Sequence, residues 1–311
     1  ILDHIDFDVR AGEVHTLLGE NGAGKTVIAN ILSGYYAKTG GEVRVNGEVV
    51  NLTSPRDGLA HGIAMVHQEL MLVPAFTVAQ NVMVGLDAPA FSFQIQAVED
   101  KLAALSARYG LQVDPRARVE NLSAGEQQRV EILKVLYHEP KVLLLDEPTS
   151  LLTPGEADHL FIVLRAMADD GKGVVFITHK MREVFAVSDR VTVLKLGKTQ
   201  GTQRISETTV EALTRKTFGE LVPDYMPRPP TRSSENAVVL DNVVPAGTAE
   251  QSPPAPINLA IRKGEIFGIA GVAGNGQSEL IACLTGLKAI ERGAVRILGK
   301  DMTGQPPRAF I

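Results

Sequence analysis

The sequence predicts an α/β fold built around a phosphate-binding loop. An apolar strand, VHTLLG, is joined to a helical segment by the glycine-rich stretch GENGAGKT at residues 19–26. Two further apolar strands, KVLLLD and GVVFIT, are followed by polar residues suited to chemistry. A copy of the strand, loop and helix pattern recurs near residues 262–286. Strands that alternate with helices are typical of a sheet covered by helices.

The chain opens with ILDHIDFDVR, whose apolar residues suggest a further strand. It begins without a methionine and stops at Ile311 inside a repeating pattern, so we expect a fragment of a longer protein. We predict an antiparallel β subdomain near residues 1–60.

The glycine-rich stretch has the context that a P-loop requires, between the end of a strand and the start of a helix. Its glycines let backbone N–H groups turn toward the β- and γ-phosphates, and the helix N-terminus adds partial positive charge. We expect Lys25 to contact these phosphates and the Thr26 hydroxyl to hold Mg²⁺. The predicted nucleotide-binding residues of the loop are Gly19, Asn21, Gly22, Ala23, Gly24, Lys25 and Thr26.

The next strand, GIAMV, places Gln68 at its end, where an amide can contact Mg²⁺ and water. We interpret the neighbouring His67 as structural. Farther along, residues 97–109 carry Val98, Leu102 and Tyr109, together with Leu105, on one helical face. This face is short and both charge signs flank it, so we predict core packing in a helical subdomain at about residues 80–139 and not a membrane-surface helix.

The segment LSAGEQQRVEILKVLY predicts a capped helix. Ser123 is a good N-cap and Glu126 lies three residues on, which is a capping-box arrangement. Ser123, Gly125 and Glu126 therefore lie at an exposed helix start that can bind an anion. An ordinary capped helix would look the same. Since the domain already has its own phosphate loop, we favour a site that serves the nucleotide of a neighbouring domain.

The segment KVLLLDEPTS, at residues 141–150, predicts a buried apolar strand that ends in two carboxylates. We expect Asp146 to reach the Mg²⁺ shell and Glu147 to orient and polarise the attacking water. Alone, the pattern could be a strand that ends in a polar turn, but the upstream P-loop favours the catalytic interpretation. His179 follows the strand GVVFIT, and we expect it to sense the γ-phosphate.

The chain carries an internal duplication. RAGE at residues 10–13 matches RKGE at residues 262–265, and six glycines keep the same gapless offset. These are Gly19, Gly22, Gly24, Gly34, Gly41 and Gly47, matched by Gly271, Gly274, Gly276, Gly286, Gly293 and Gly299. We predict a first domain at residues 1–222, a Pro- and Ser-rich linker at residues 223–236 and a truncated second domain at residues 237–311.

Composition narrows the possible partners. The 311 residues carry a formal net charge of −5, so the basic footprint of a nucleic-acid-binding protein is missing and we expect no nucleic-acid partner. No apolar run approaches the roughly 20 residues that span a bilayer. The single cysteine, Cys283, fits a reducing compartment, and we predict a small core residue of a helix.

In this order, GENGAGKT, Gln68, LSAGE, LLLDEP and His179 resemble the nucleotide-binding domain of ABC transporters. The resemblance covers the first domain. It implies ATP and Mg²⁺ as cofactors and domains that pair head to tail, with ATP between the P-loop of one domain and the LSxGE signature of the other. It also implies that closure of the pair moves the helices of a membrane permease and that hydrolysis resets the pair.

More closely, SAGEQQRVEILKVLYHEP and GVAGNGQSELIACLTGL resemble the tandem ATPases of simple-sugar and nucleoside importers. This resemblance implies an ATPase at the cytoplasmic face of the plasma membrane. Its partners would be integral-membrane permease subunits and, indirectly, an extracytoplasmic substrate-binding protein. It also implies a degenerate second P-loop, in which Gln277 replaces the lysine. A neutral side chain cannot supply the cationic contact, so we expect little catalysis there.

Some residues depart from the family pattern, and two alternatives remain. Val27 replaces a threonine that usually contacts the α-phosphate, and the expected position of the adenine-stacking aromatic residue precedes Ile1. One alternative is a soluble tandem ABC ATPase that acts on ribosomes or nucleic acid, which would be expected to carry basic arms or a long charged insertion. The other is a non-catalytic ATP-binding regulator, which the intact Lys25, Asp146, Glu147 and His179 disfavour.

Overall fold

The structure is a computed structural model that describes residues 2–86, 95–219, 233–247, 255–271 and 275–310. It contains two compact units, Ile1–Val222 and Pro223–Ile311. Residues 223–232 of the predicted linker lie outside the described residues, as do residues 272–274 of the second glycine loop.

The first unit contains eight strands and eight α-helices among its described residues. The strands are β1 (Val14–Gly19), β2 (Val43–Val45), β3 (Glu48–Val50), β4 (Ile63–Val66), β5 (Val142–Asp146), β6 (Gly173–Thr178), β7 (Arg190–Lys195) and β8 (Lys198–Arg204). The helices are α1 (Lys25–Leu32), α2 (Pro55–Ala60), α3 (Val78–Met83), α4 (Ile95–Tyr109), α5 (Ala124–Leu136), α6 (Pro154–Asp169), α7 (Met181–Val187) and α8 (Val210–Phe218). Two 3₁₀ turns lie at Val119–Asn121 and Ile205–Glu207.

Six strands form the central sheet in the order β4-β5-β6-β1-β7-β8. All neighbours in the sheet are parallel except β7 and β8, which are antiparallel. Every residue of β1 and β6 is buried, as expected for parallel strands covered on both faces. Along β5, Leu143 and Leu145 belong to one apolar cluster and Leu144 belongs to another, so helices pack on both sides of the sheet.

This topology places the predicted site residues together. β1, β5 and β6 are neighbouring parallel strands, so Gly19, Asp146 and Thr178 end them at the same edge of the sheet. In open α/β sheets this carboxyl edge is the usual ligand side. The sequence-based predictions of these strands and of α1 are confirmed, with bounds that differ by one or two residues.

The leading segment differs from its prediction. Residues 2–10 form no strand, although they were expected to form one. Leu2, Ile5, Phe7 and Val9 still pack against the core, the last three as alternate residues, but among the described residues the segment belongs to no sheet. The apolar pattern of the segment therefore indicated which residues face the core, but it did not indicate that the segment pairs with another strand. Near residues 1–60, the antiparallel structure is the hairpin of β2 and β3.

Three α-helices, α3, α4 and α5, lie in the described part of the stretch predicted as the helical subdomain. The predicted face of α4 is confirmed: Val98, Leu102 and Tyr109 are buried, and Leu105 packs partly buried against the same cluster. Residues 87–94 of this stretch are outside the described part of the chain. Among the described residues, no helix is long and apolar enough to cross a membrane.

The second unit is a small antiparallel sheet with one α-helix among its described residues. Strands β9 (Asn236–Pro245), β10 (Ile257–Arg262), β11 (Ile290–Ile297) and β12 (Lys300–Asp301) are ordered β10-β9-β11-β12. Helix α9 (Gln277–Leu284) packs on this sheet through Leu280 and Cys283, which confirms Cys283 as a core residue of a helix. A 3₁₀ turn, Pro307–Phe310, follows.

Candidate nucleotide site

The P-loop runs from the end of β1 into α1. Gly24 is the N-cap of α1 and has a φ of 105°, a left-handed conformation that glycine adopts without strain. A Cβ atom at this position would also lie 2.6 Å from a methyl group of Leu2. Gly22 has a φ of 80°, so the loop needs glycine at both positions. The backbone N–H groups of the first turn of α1 have no partner within the helix and form an anion site.

Lys25 is buried, and its ammonium group lies within the loop. Nζ donates hydrogen bonds to the carbonyl oxygens of Gly19 (2.9 Å) and Glu20 (3.0 Å) and lies 3.9 Å from Oε1 of Glu147. Burial lowers the pKa of Lys25, while the carboxylates of Glu147 and Asp146 act in the opposite direction. The cation therefore lies between the P-loop and the two acidic residues that end β5.

Asp146 is the most deeply buried acidic residue of this group, with 1% of its surface exposed. Neither of its carboxylate oxygens has a hydrogen-bond partner among the described residues. Burial raises the pKa of Asp146, and the nearby Thr26 hydroxyl and Lys25 ammonium lower it without reaching hydrogen-bond geometry. A buried carboxylate without a partner is energetically costly, so this position fits a group that is completed by a bound cation.

Glu147 follows Asp146 and has a left-handed backbone, with a φ of 45°. Its backbone N–H donates to the carbonyl of Ile177 (3.0 Å), which fixes this turn to the end of β6. Non-glycine residues with positive φ are uncommon and are enriched at functional sites, where the surrounding structure holds them. The conformation directs the Glu147 side chain toward both Lys25 and His179.

His179 meets Glu147 directly. Its Nδ1 lies 3.0 Å from Oε1 of Glu147, close enough for the ring N–H to donate to the carboxylate. The His179 side chain is 39% exposed and that of Glu147 is 15% exposed, so the pair lies at the edge of the protein interior. The geometry brings together four residues that the sequence assigned to one site: Lys25, Asp146, Glu147 and His179.

Gln68 follows β4, whose last residue, Val66, pairs with Leu145 of β5, so the chain reaches Gln68 at the same edge of the sheet as Asp146. It is exposed, two residues beyond the end of β4, and within the described part of the chain no hydrogen bond joins it to Asp146 or Glu147. The preceding His67 is half-buried and its ring meets the ring of Tyr35 edge-on at 5.1 Å. Burial lowers the pKa of His67, with an opposing contribution from Glu131.

Helix α5 anchors the segment that follows Gln68. Lys134 Nζ donates to the carbonyl of Met71 (2.9 Å) and forms an ion pair with Glu131 on its own helix (2.8 Å). A contact therefore connects the chain beyond Gln68 with the helix that begins at the LSAGE sequence.

The predicted capping box is present at the start of α5. The Ser123 hydroxyl accepts from the Glu126 N–H (3.3 Å), and Glu126 Oε2 accepts from the Ser123 N–H (2.8 Å). Gly125 packs so closely that a Cβ atom there would lie 2.1 Å from Oε1 of Glu156. Among the described residues, no hydrogen bond or ion pair joins Ser123, Gly125 or Glu126 to the P-loop. Within this unit, the LSAGE sequence is thus separate from the four clustered residues.

The sequence did not indicate one buried residue that links the site loops. Glu183 on α7 accepts hydrogen bonds from the hydroxyl groups of Thr149 and Thr178, both at 2.6 Å. Thr149 lies two residues after Glu147, and Thr178 immediately precedes His179. A glutamate in a short helix is common, and no sequence pattern around Glu183 indicates that it accepts hydrogen bonds from two different loops.

The comparisons with known proteins agree with this geometry. The family described as ABC transporter matches residues 2–150 and 255–310. The chain is 40% identical to the glucose import ATP-binding protein TsgD13 of Haloferax volcanii, over 99% of this chain and 62% of that protein. It is 38% identical to the nucleoside import ATP-binding protein NupA of Lactococcus lactis, over 98% of this chain and 61% of that protein. The chain thus spans about three fifths of the length of these relatives.

Solved structures share the fold. A nucleotide-free ATP-binding cassette from an ABC transporter matches with a TM-score of 0.59 and 23% identity, over 65% of this chain and 85% of that chain. CbiO1 of Clostridium perfringens, part of the ABC transporter complex cbiONQ, matches with a TM-score of 0.57 and 27% identity, over 66% of this chain and 82% of that chain. From the family match over two separate stretches and the arrangement of its P-loop and acidic residues, the chain belongs to the ABC transporter family.

Proposed function

We propose that this chain is the ATP-binding subunit of an ABC importer and that its first unit hydrolyses ATP. The observation that supports this most directly is Glu147, whose carboxylate lies 3.0 Å from His179 and 3.9 Å from Lys25. These three side chains and the P-loop are the parts that phosphoryl transfer to water requires: a phosphate cradle, a cation and a group that orients the water.

In the proposed reaction, the P-loop N–H groups and Lys25 hold the β- and γ-phosphates. Glu147 accepts a hydrogen bond from the attacking water and directs its oxygen toward the γ-phosphorus. The water oxygen forms the new bond to the γ-phosphorus as the bond from that phosphorus to the β–γ bridging oxygen breaks. ADP leaves with the bridging oxygen, and the proton lost by the water passes to Glu147 and then to solvent, which leaves inorganic phosphate. His179 holds Glu147 through Nδ1–H, and in the imidazolium form, which carries a proton on both ring nitrogens, it would also donate from Nε2 to the γ-phosphate.

The same site suits Mg²⁺. We propose that Asp146, the Thr26 hydroxyl and Gln68 bind the ion directly or through water, together with phosphate oxygens. The unpartnered oxygens of Asp146 support this assignment. No group of three or more His, Cys, Asp or Glu residues able to hold a metal occurs among the described residues. Mg²⁺ typically uses only one or two carboxylates and substrate phosphates, so this finding is compatible with the proposal. When bound, the ion would neutralise charge that develops on the phosphates.

The LSAGE sequence is proposed to act on a partner domain. Ser123, Gly125 and Glu126 are not joined to the P-loop of their own unit, and an exposed, capped helix start is suited to a phosphate. A head-to-tail pair with a second ATP-binding domain or copy would place this helix start against the nucleotide of the neighbour. Such a pair would account for two phosphate-binding elements in one domain.

Permease subunits are the proposed membrane partner. The segment after Gln68 exposes several apolar side chains: Met71 is 52%, Val73 40%, Phe76 40% and Val84 68% exposed. Neighbouring apolar residues of this kind commonly mark a protein interface. We propose that residues 76–86 receive a permease helix at the cytoplasmic face of the plasma membrane. An extracytoplasmic binding protein would take part indirectly.

The cargo is proposed to be a simple sugar or a nucleoside. Relatives that match almost the whole chain are named for import of glucose, nucleosides, guanosine and ribose. No residue of this chain is assigned to cargo selection, which would belong to the permease and the binding protein. The soluble alternative, an ABC ATPase that acts on ribosomes or nucleic acid, predicts an ATPase rate that nucleic acid stimulates.

The test is steady-state ATP hydrolysis by the full-length protein in membranes with its permease. Glu147→Gln should abolish turnover while ATP still binds, because it removes the negative charge that polarises the water and keeps the shape of the side chain. Gln277→Lys in the second loop is the matched control and should change turnover little. If Glu147→Gln retained most of the activity, the first unit would not hold the working site.

A further inference from the structure

Glu183 lies at the centre of a buried network behind the catalytic pair. Its two carboxylate oxygens accept one threonine hydroxyl each, Thr149 on Oε1 and Thr178 on Oε2. Glu183, Thr149 and Thr178 are 6%, 3% and 2% exposed, so water does not compete for these bonds. Hydrogen bonds from hydroxyl groups to a carboxylate are among the stronger ones in proteins, and both measure 2.6 Å.

Lys180 completes the network. Its ammonium lies 3.1 Å from Oε1 of Glu183 and 3.2 Å from the Thr149 hydroxyl. Its backbone N–H donates to the Thr178 hydroxyl at 3.1 Å. Thr178 and Lys180, which flank His179 in the chain, therefore both contact the Glu183 carboxylate. Thr149, in the loop that carries Glu147, contacts the same carboxylate.

This network connects the loop after β5 with the loop after β6. Among the described residues, the one other side-chain contact between these loops is that of Glu147 with His179. The loop after β5 is tied through Thr149, and the loop after β6 is tied through Thr178 and Lys180. Glu147 has a left-handed backbone and needs its surroundings to hold it. Fixing Thr149, two residues later, restricts the turn in which Glu147 lies.

We propose that Glu183 is a positioning residue, which keeps Glu147 and His179 at contact distance and so aligns the water for attack. This inference rests on the proposed role of Glu147 in hydrolysis. Glu183 touches neither of the two catalytic side chains in the contacts described, so it acts through Thr149 and Thr178. Small displacements of a catalytic group lower turnover far more than they lower substrate binding, because the water must be aligned in the transition state.

A purely structural role predicts a different result. Helix α7 already packs against the core through Val184 and Val187, both buried. If Glu183 only stabilised the fold, its loss would lower the unfolding temperature and reduce the active fraction of the protein, but the intact molecules would turn over at the normal rate.

The experiment uses the full-length protein in membranes with its permease and compares Thr149→Val with Thr149→Ser. Valine keeps the volume and removes the hydroxyl that Glu183 holds, whereas serine keeps the hydroxyl. We expect Thr149→Val to lower kcat by at least about tenfold, with KM and the Kd for ATP within about threefold of wild type, and Thr149→Ser to restore most of kcat. The glutamine in Glu183→Gln can keep only part of the hydrogen-bond network, so the kcat of this variant should lie between those of wild type and Thr149→Val.

A matched control removes a buried threonine hydroxyl elsewhere in the same sheet. Thr192 on β7 is fully buried and hydrogen-bonds to His15 and Thr202, with no described contact to the site. Thr192→Val should lower the thermal unfolding midpoint while kcat per folded molecule stays at the wild-type value. Nucleotide binding and thermal unfolding are measured for every variant, so loss of folded protein is separated from loss of turnover.

Normal kcat in Thr149→Val and Glu183→Gln would overturn the inference, as would an equal loss in Thr149→Ser and Thr149→Val. Glu147→Gln in the same assay separates this failure from failure of the proposed function. If Glu147→Gln is inactive and Thr149→Val is normal, only the positioning role is wrong. If Glu147→Gln is active, the catalytic assignment itself is wrong.

Discussion

His15 makes the first unit sensitive to acid, because a fully buried histidine is held uncharged within β1, the strand that leads into the P-loop. Nδ1 pairs with the carbonyl of Asp8 at 2.7 Å, and Nε2 pairs with the Thr192 hydroxyl at 2.8 Å. Burial is the main cause that lowers the pKa of His15 from 6.5 to about 4. The nearby cations Arg190 and Arg10 also lower it, whereas the carbonyl and carboxylate of Asp8 raise it.

The sign of the effect follows from proton binding. In the unfolded chain His15 takes up a proton as the pH falls through 6.5, while in the folded protein it stays neutral until about pH 4. The unfolded state therefore binds more protons between these values, and stability is lost as the pH falls. A shift of this size corresponds to about 3 kcal/mol over the whole window, or about 1.4 kcal/mol for each pH unit.

The assay is urea unfolding of the full-length protein at several pH values from 7.5 to 5. The comparison is between wild type and His15→Gln, whose amide can still reach one of the two partners but does not titrate. His67 and the carboxylates titrate in both proteins, so the difference in slope isolates His15. We expect the free energy of unfolding of wild type to fall more steeply below pH 6.5, by about 1 kcal/mol for each pH unit. Parallel pH dependences for the two proteins would refute the buried, neutral histidine.

Two further predictions concern the nucleotide site. Asp146→Asn should stabilise the nucleotide-free protein by about 1–3 kcal/mol in thermal unfolding, because it removes a buried carboxylate without a partner, and should abolish ATP hydrolysis. A loss of stability in this variant would show that Asp146 has a partner in the free protein. Gly24→Ala should cost about 1–2 kcal/mol, because φ is 105° and the added Cβ meets Leu2, and should weaken ATP binding. Gly40→Ala, at a position without positive φ or nearby atoms, is its control, and equal effects of the two substitutions would contradict the reasoning.

The sequence predicted those site residues whose side-chain chemistry and position at the end of a strand or in a glycine loop indicate the same role. Lys25, Asp146, Glu147 and His179 each follow a buried apolar strand or a glycine loop, and parallel strands end at one edge of a sheet, so their proximity follows from strand order. The capping box at Ser123 and the buried face of α4 were also predictable, because caps and helical periodicity depend on neighbours in the chain.

Glu183 was not predictable for the opposite reason. Its partner Thr149 lies in the turn after β5 and its partner Thr178 is the last residue of β6, and the packing of α7 near both strand ends brings the two hydroxyl groups to 2.6 Å from the carboxylate. Nothing about a charged residue in a short helix distinguishes a buried acceptor from a solvated side chain.

The two glycine loops show how far local sequence can specify a strand. VHTLLG forms β1, with every residue buried between β6 and β7. Its counterpart IFGIAG, at residues 266–271, forms no strand, and Ile266, Phe267 and Ile269 are 78%, 43% and 44% exposed. A parallel strand is stabilised by hydrogen bonds to distant segments and by helices on both faces, and its sequence supplies only the apolar side chains. The P-loop depends on that strand, because Gly19 ends β1 and its carbonyl receives Lys25. The geometry of the first loop thus depends on strands that follow it by more than 150 residues.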